Sequence, residues 1–190
     1  MGWSGGDNLV VPETLPRVLT ARLLEFCRSI SAEQPRFIAS RPSKDAVLDY
    51  CYDNVSRKIS RAGGSLACGW AIWQTKGVYF DAVHHCVWRK RSGETLDVSP
   101  QQNNYSKILF LHDETSAFDP LSVRDSLFAP DSDDPLALEF VFLAKRRTQI
   151  HNSYKRGGAM FAFFSNADQS ELDRLNGRMG EIIRMLGIKR

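Results

Sequence analysis

A chain of 190 residues, 43% hydrophobic and 25% charged, has the composition of an ordinary globular domain and not of a disordered or fibrous one. Its 25 Lys and Arg against 22 Asp and Glu leave a formal charge of +3, too small and too mixed to point to a polyanion partner. No apolar run approaches the roughly 18 residues of a membrane span, and Met1 to Asn8 lack the basic and apolar regions of a secretory signal. The chain therefore reads as soluble and cytoplasmic, with no membrane partner.

In chain order, residues 1–13 read as a disordered lead and 14–190 as a single catalytic-type domain whose core lies at 45–111. Leu15 to Ile30 carries Leu15, Val18, Leu19, Leu23, Phe26 and Ile30 at helical spacing, with Pro16 in the first turn. Cys27 sits near that apolar stripe and reads as a core thiol. Residues 31–43 hold two prolines and read as a connection. A second helix is predicted from Lys44 to Ala62, with Ser43 as its cap and Gly63-Gly64 as its stop. An alternative start near Tyr50, with a separate turn before it, stays open.

Ser65 to Trp73 and Gly77 to Lys90 are rich in aromatic and β-branched residues and flank a hairpin turn at 74–77. Glu94 to Ser99 and Lys107 to Leu111 predict two further strands. Helices first and an antiparallel meander after them make the fold class α+β. Asp119-Pro120, Ala129-Pro130 and Asp134-Pro135 break the next segment, and 131–134 is an acidic loop. Leu136 to Ala144 fits a buried strand or a short helix, which periodicity does not separate. Met160 to Phe164 reads as another buried stretch, and Asp168 to Leu186 as a helix.

Cys27, Cys51, Cys68 and Cys86 include no C-x-x-C pair, so neither a structural zinc nor, lacking a secretory signal, a disulfide is expected. Each is a core residue or a nucleophile. Cys51 lies in a helix, His85 in a strand and Asp97 at the close of the next. A thiol needs a base to ionise at neutral pH, and the base needs an acceptor to fix its tautomer. Neighbouring antiparallel strands bring side chains on one face to about 4.5–5.5 Å, so His85 and Asp97 are candidates for such a pair.

Cys51 opening a helix, Gly63-Gly64, Gly69-Trp70, His85-x-x-Trp88 and Leu96-Asp97-Val98-Ser99-Pro100 together resemble the core of transglutaminase-like proteins, within the papain-like cysteine superfamily. The same wording is similar to a group of bacterial proteins. The resemblance covers about residues 45–100, and it departs from the family where His-x-Trp is usual and His85-x-x-Trp88 stands here. It implies a papain-like, transglutaminase-like fold and acyl transfer through a thioester: a protease, amidase, deamidase or transglutaminase acting on a protein or peptide. Cys51, His85 and Asp97 would be the catalytic residues, with no metal and no cofactor.

Other residues carry two readings each. Cys68 and Cys86 sit inside apolar strands and read as core thiols. His84 points to the face opposite His85 and would pack or line the site. Asn54 would donate to an oxyanion or hold the helix to a strand. Trp70 and Trp88 are core aromatics or a platform that keeps water from the thiol. His112 and His151 read as surface residues. Two rival functions remain: an inactive papain-like binding module, and a nucleic-acid-associated protein using the basic stretch at 145–156. The second is disfavoured by the shortness of the stretch and the small net charge.

Overall fold

The computed structural model describes residues 13–119, 124–154 and 164–188. The lead before Glu13, the apolar residues at 160–163 and the pair Lys155-Arg156 lie outside these. Among the described residues, four helices and an antiparallel six-stranded sheet make the protein α+β. No described helix is long and apolar enough to cross a membrane.

The chain divides into two compact units. One holds Leu15–Ile72 and Ala82–Phe118, the other Trp73–Asp81 and the described part of 119–190. The first unit opens with α1, Ala21–Ile30, six residues later than its apolar spacing predicts. Thr20 stops the helix from extending back, because its side chain accepts a hydrogen bond from the Leu23 amide and caps the first turn. Val18, 68% exposed, is left off the buried stripe. The supposed connection at 31–43 contains β1, Arg36–Ala39.

Helix α2 runs Cys51–Ala62, so the later of the two possible starts is the observed one. The reason is a competing set of hydrogen bonds. The Asn54 side chain accepts from the Val47 amide and donates to the Val47 carbonyl, taking both backbone groups out of any helical ladder. Asp49 adopts a left-handed φ of 67°, a conformation that breaks helix continuity. Gly63 and Gly64, with φ of 69° and 91°, end α2 as expected.

Strands β2, Ser65–Thr75, and β3, Tyr79–Arg89, form the hairpin, and both pass from one unit into the other. They are equal in length about the turn at 76–78. The Trp70 and His84 rings meet edge-on at 5.5 Å. The sheet is not the sequential meander expected: its order is β1-β5-β2-β3-β4, with β5 at Lys107–His112 between β1 and β2. β4 is only Thr95–Leu96, opposite Arg89 and Trp88. Beyond it the chain turns away to the β1 side, where the Asp97 amide donates to Ala39 and the Arg41 amide to Asp97.

In the second unit β6, Leu127–Pro130, pairs with β3, and the ambiguous stretch at 136–144 is part of a long helix, α3, Pro135–Ser153. Asp134 caps it by accepting from the Leu136 amide, and Pro135 sits in the first turn. Helix α4, Asn166–Met185, is capped by Ser165. Val78, Tyr79, Phe140, Val141, Met179, Ile182 and Ile183 pack into one apolar cluster.

Gly69 in β2 lets β5 approach closely: a Cβ there would lie 2.1 Å from the Leu111 carbonyl oxygen. Gly69→Ala is expected to cost about 3 kcal/mol in urea unfolding. Gly77→Ala, in open space at a φ of 79°, is expected to cost only about 1 kcal/mol.

Candidate active site

The site lies within the first unit. Cys51 is the first residue of α2 and the most exposed of the four cysteines. The other three helices receive side-chain caps from Thr20, Asp134 and Ser165, whereas Tyr50 gives α2 none. The first amides of a helix have no partner within it, so α2 presents N–H groups and the positive end of its dipole beside the Cys51 sulfur.

The opposite end of the constellation is the Asp97 carboxylate, entirely buried. Its Oδ1 accepts from His85 Nε2 at 3.1 Å and from the Ser99 amide at 3.0 Å. Its Oδ2 accepts from Ser40 Oγ at 2.8 Å and from Gln101 Nε2 at 2.7 Å. Burial raises its pKa, but the His85 charge and these donors outweigh that and hold it below the ordinary 3.8.

Between them stands His85. With Nε2 turned to Asp97, Nδ1 is the ring nitrogen left to serve Cys51, which lies near enough to shift the titration of the ring. Burial disfavours the charged ring. The charge and hydrogen bond of Asp97, followed by those of Cys51, overcome this and raise its pKa from 6.5 to about 10. The Cys51 thiol moves the other way, far below its ordinary 9.0. The largest cause is a hydrogen bond from the Cys86 thiol; burial opposes it, and His85 and the Cys86 backbone N–H add to the lowering. Both shifts favour the thiolate–imidazolium form of the pair.

The Cys86 thiol is pushed far up by the neighbouring Cys51 and Cys68 and by burial. One S–H serves one acceptor at a time. Cys51 also receives a backbone N–H and faces the imidazolium, so it is the sulfur that carries the charge. Cys68 is lowered too, through Cys86 first, with burial opposing. Cys27 stands apart as a buried thiol pushed up to about 11 by desolvation.

The remaining candidates fall outside the contact chain. His84 Nε2 meets the Ser116 carbonyl at 2.7 Å. Asn54, buried, bonds Val47, Arg57 and Ser99 and thereby holds the segment before the nucleophile. Trp70 donates to Asp113 at 2.9 Å. Trp88 donates to the Gly63 carbonyl and packs with Val55, Leu96 and Val98. His112 and His151 are half-buried. In the basic stretch Lys145 is exposed, Arg146 is engaged by Glu171 at 2.7 and 2.9 Å, and Arg147 is half-buried. Among the described residues no group of three or more His, Cys, Asp or Glu is placed to hold a metal ion.

Ser40, Ser99, Gln101 and Cys86 were not foreseen as part of the site. Ser99 had a local signal, since an Asp two residues before an amide commonly accepts from it. Ser40 had none. Set against known proteins, the chain matches no family model, no curated protein and no solved structure.

The Asp97–His85 pair has a pH signature in stability. The lowered Asp97 contributes stability that is present above its unfolded value and lost as pH falls through the folded one. The raised His85 contributes stability that is full below 6.5 and lost as pH rises through about 10. Asp97→Asn is therefore expected to lose about 3 kcal/mol in urea unfolding near pH 6 and clearly less above about pH 10. An equal loss at both would show that no charge is shared.

Proposed function

We propose that this chain is a cysteine-dependent acyl-transfer enzyme of papain-like, transglutaminase-like architecture, acting on an amide or ester of a protein or peptide. One observation carries the reading. A half-buried sulfur at a helix start without a side-chain cap lies within electrostatic reach of an imidazole whose Nε2 is held by a buried carboxylate.

The Cys51 thiolate attacks the carbonyl carbon, and the electron pair of the C=O bond moves to oxygen. The free N–H groups of the first turn of α2 stabilise that oxyanion, as preorganised donors do in other acyl transfers. Protonated His85 gives its proton to the leaving nitrogen or oxygen as the tetrahedral intermediate collapses to a thioester. Neutral His85 then takes a proton from water or an amine, which attacks the thioester and releases Cys51. Asp97 keeps the ring oriented and favours its charged form throughout.

Alkylation with a thiol-directed electrophile across pH, followed by mapping, tests this. Cys51 is expected to react first and well below pH 8, and His85→Ala to slow it about a hundredfold near pH 6. An activated ester is expected to leave an acyl group on Cys51 and to turn over, with turnover lost in Cys51→Ala. Labelling spread over all four thiols with ordinary alkaline dependence overturns the proposal and leaves an inactive binding module.

A further inference from the structure

We infer that Val47, Leu48 and Tyr50 form the substrate-recognition surface beside Cys51, and that it takes a donor whose groups next to the reacting carbonyl are apolar: a peptide carrying aliphatic or aromatic residues there. The inference rests on the acyl-transfer reading for what that carbonyl does, and on the surface alone for which molecules are held.

Placement is the first ground. Among the described residues, ten large hydrophobic side chains are exposed, and three of them fall in the four positions before Cys51: Val47 at 48%, Leu48 at 41% and Tyr50 at 58%. Single exposed apolar side chains are ordinary, whereas a contiguous group marks a binding surface. The Tyr50 amide donates to the Val47 carbonyl at 3.3 Å, and a turn closed in this way spans less than about 7 Å. One further Cα step of about 3.8 Å brings the chain to Cys51, so the whole group lies within about 11 Å of the Cys51 Cα, the span of about three extended residues. A molecule whose carbonyl meets the sulfur has these side chains as neighbours.

The surface is also fastened in this exposed form. The buried Asn54 side chain bonds the Val47 amide at 2.9 Å and the Val47 carbonyl at 2.7 Å, and donates to Ser99 Oγ at 3.1 Å. Farther back, the Ser43 amide donates to the Val98 carbonyl at 3.0 Å. Between the exposed side chains Asp49 keeps a φ of 67°, which is unfavourable for a residue with a Cβ. Such strain persists where the surroundings over-determine it, most often at sites that bind or react. After Cys51 the arrangement differs. The Tyr52 ring is already covered, stacked on Phe118 with centroids 3.9 Å apart and planes 12° from parallel. Phe118 follows a segment anchored at Asp113, which accepts from Trp70 Nε1 at 2.9 Å and from the Thr115 amide at 3.0 Å. Among the described residues, the apolar surface left open next to the sulfur is therefore that of 47–50. The reaction names its occupant: the apolar part of the donor that Cys51 attacks.

The test alkylates the full chain with two chloroacetamides that differ only in the amide substituent, N-hexyl and N-hydroxyethyl, and reads the rate at Cys51 by peptide mapping. The hexyl reagent is expected to react about tenfold faster and to saturate with concentration. Leu48→Ser combined with Tyr50→Ser should bring the ratio close to one, while the conservative Leu48→Met and Tyr50→Phe should keep it. Val18→Ser removes an exposed apolar side chain outside the surface and should leave the ratio as it is. All these positions are exposed, so the replacements leave the fold intact. Equal rates in the wild-type chain, or a ratio that the double serine replacement leaves unchanged, would each overturn the inference. If the preference is found but an activated ester leaves no acyl group on Cys51, only the acyl-transfer reading falls. If the acyl group forms and the preference is absent, only the apolar recognition surface falls.

Discussion

A carboxylate wholly removed from water is costly unless donors replace its hydration, and Asp97 receives four. Ser40 comes from the end of β1, His85 from β3, and Ser99 and Gln101 from the chain just beyond Asp97 itself. With both oxygens occupied, the charge is tolerated and the group has no freedom to turn. His85 inherits that rigidity: its Nε2 is committed, its ring plane is set, and Nδ1 is left for the sulfur. Every chemical statement about this site descends from that buried charge.

The thiol half is organised by different means. α2 begins at Cys51 because Asn54 captures the backbone of Val47, so the same side chain that shortens the helix delivers the sulfur to its uncapped end. Cys86 of β3, next in sequence to His85, contributes most to lowering the Cys51 pKa. Thiolate and imidazolium then stabilise each other in a setting where charge interactions are stronger than in water, with the sulfur still open to an incoming molecule. A core thiol such as Cys27, with burial and no partner of this kind, shifts in the opposite direction.

Much of the architecture was legible because it is local. The apolar repeat at 168–186, the hairpin flanking 76–78 and the double glycine after α2 are short-range signals, and α+β follows from their order. The errors were also local signals, overruled by neighbours. Thr20 cut α1 short by capping it, β1 hid in a stretch with two prolines because its pairing partner β5 lies some seventy residues on, and β4 dwindled to two residues because Asp97 turned to the β1 side. At 136–144 periodicity alone was silent between strand and helix, and the cap at Asp134 with Pro135 decided for helix.

By itself the amino-acid sequence determined the residue types and their order: a cysteine in a helix, a histidine in a strand, an aspartate closing the next, and the helix and strand periodicities that carry them. Tertiary structure decided which groups touch. Ser40 on Asp97, His85 on Asp97 and β5 between β1 and β2 are contacts between segments far apart in the chain or on neighbouring strands. No local spacing encodes them, because hydrogen bonding and packing across a sheet depend on register and approach, which exist only once the strands have paired.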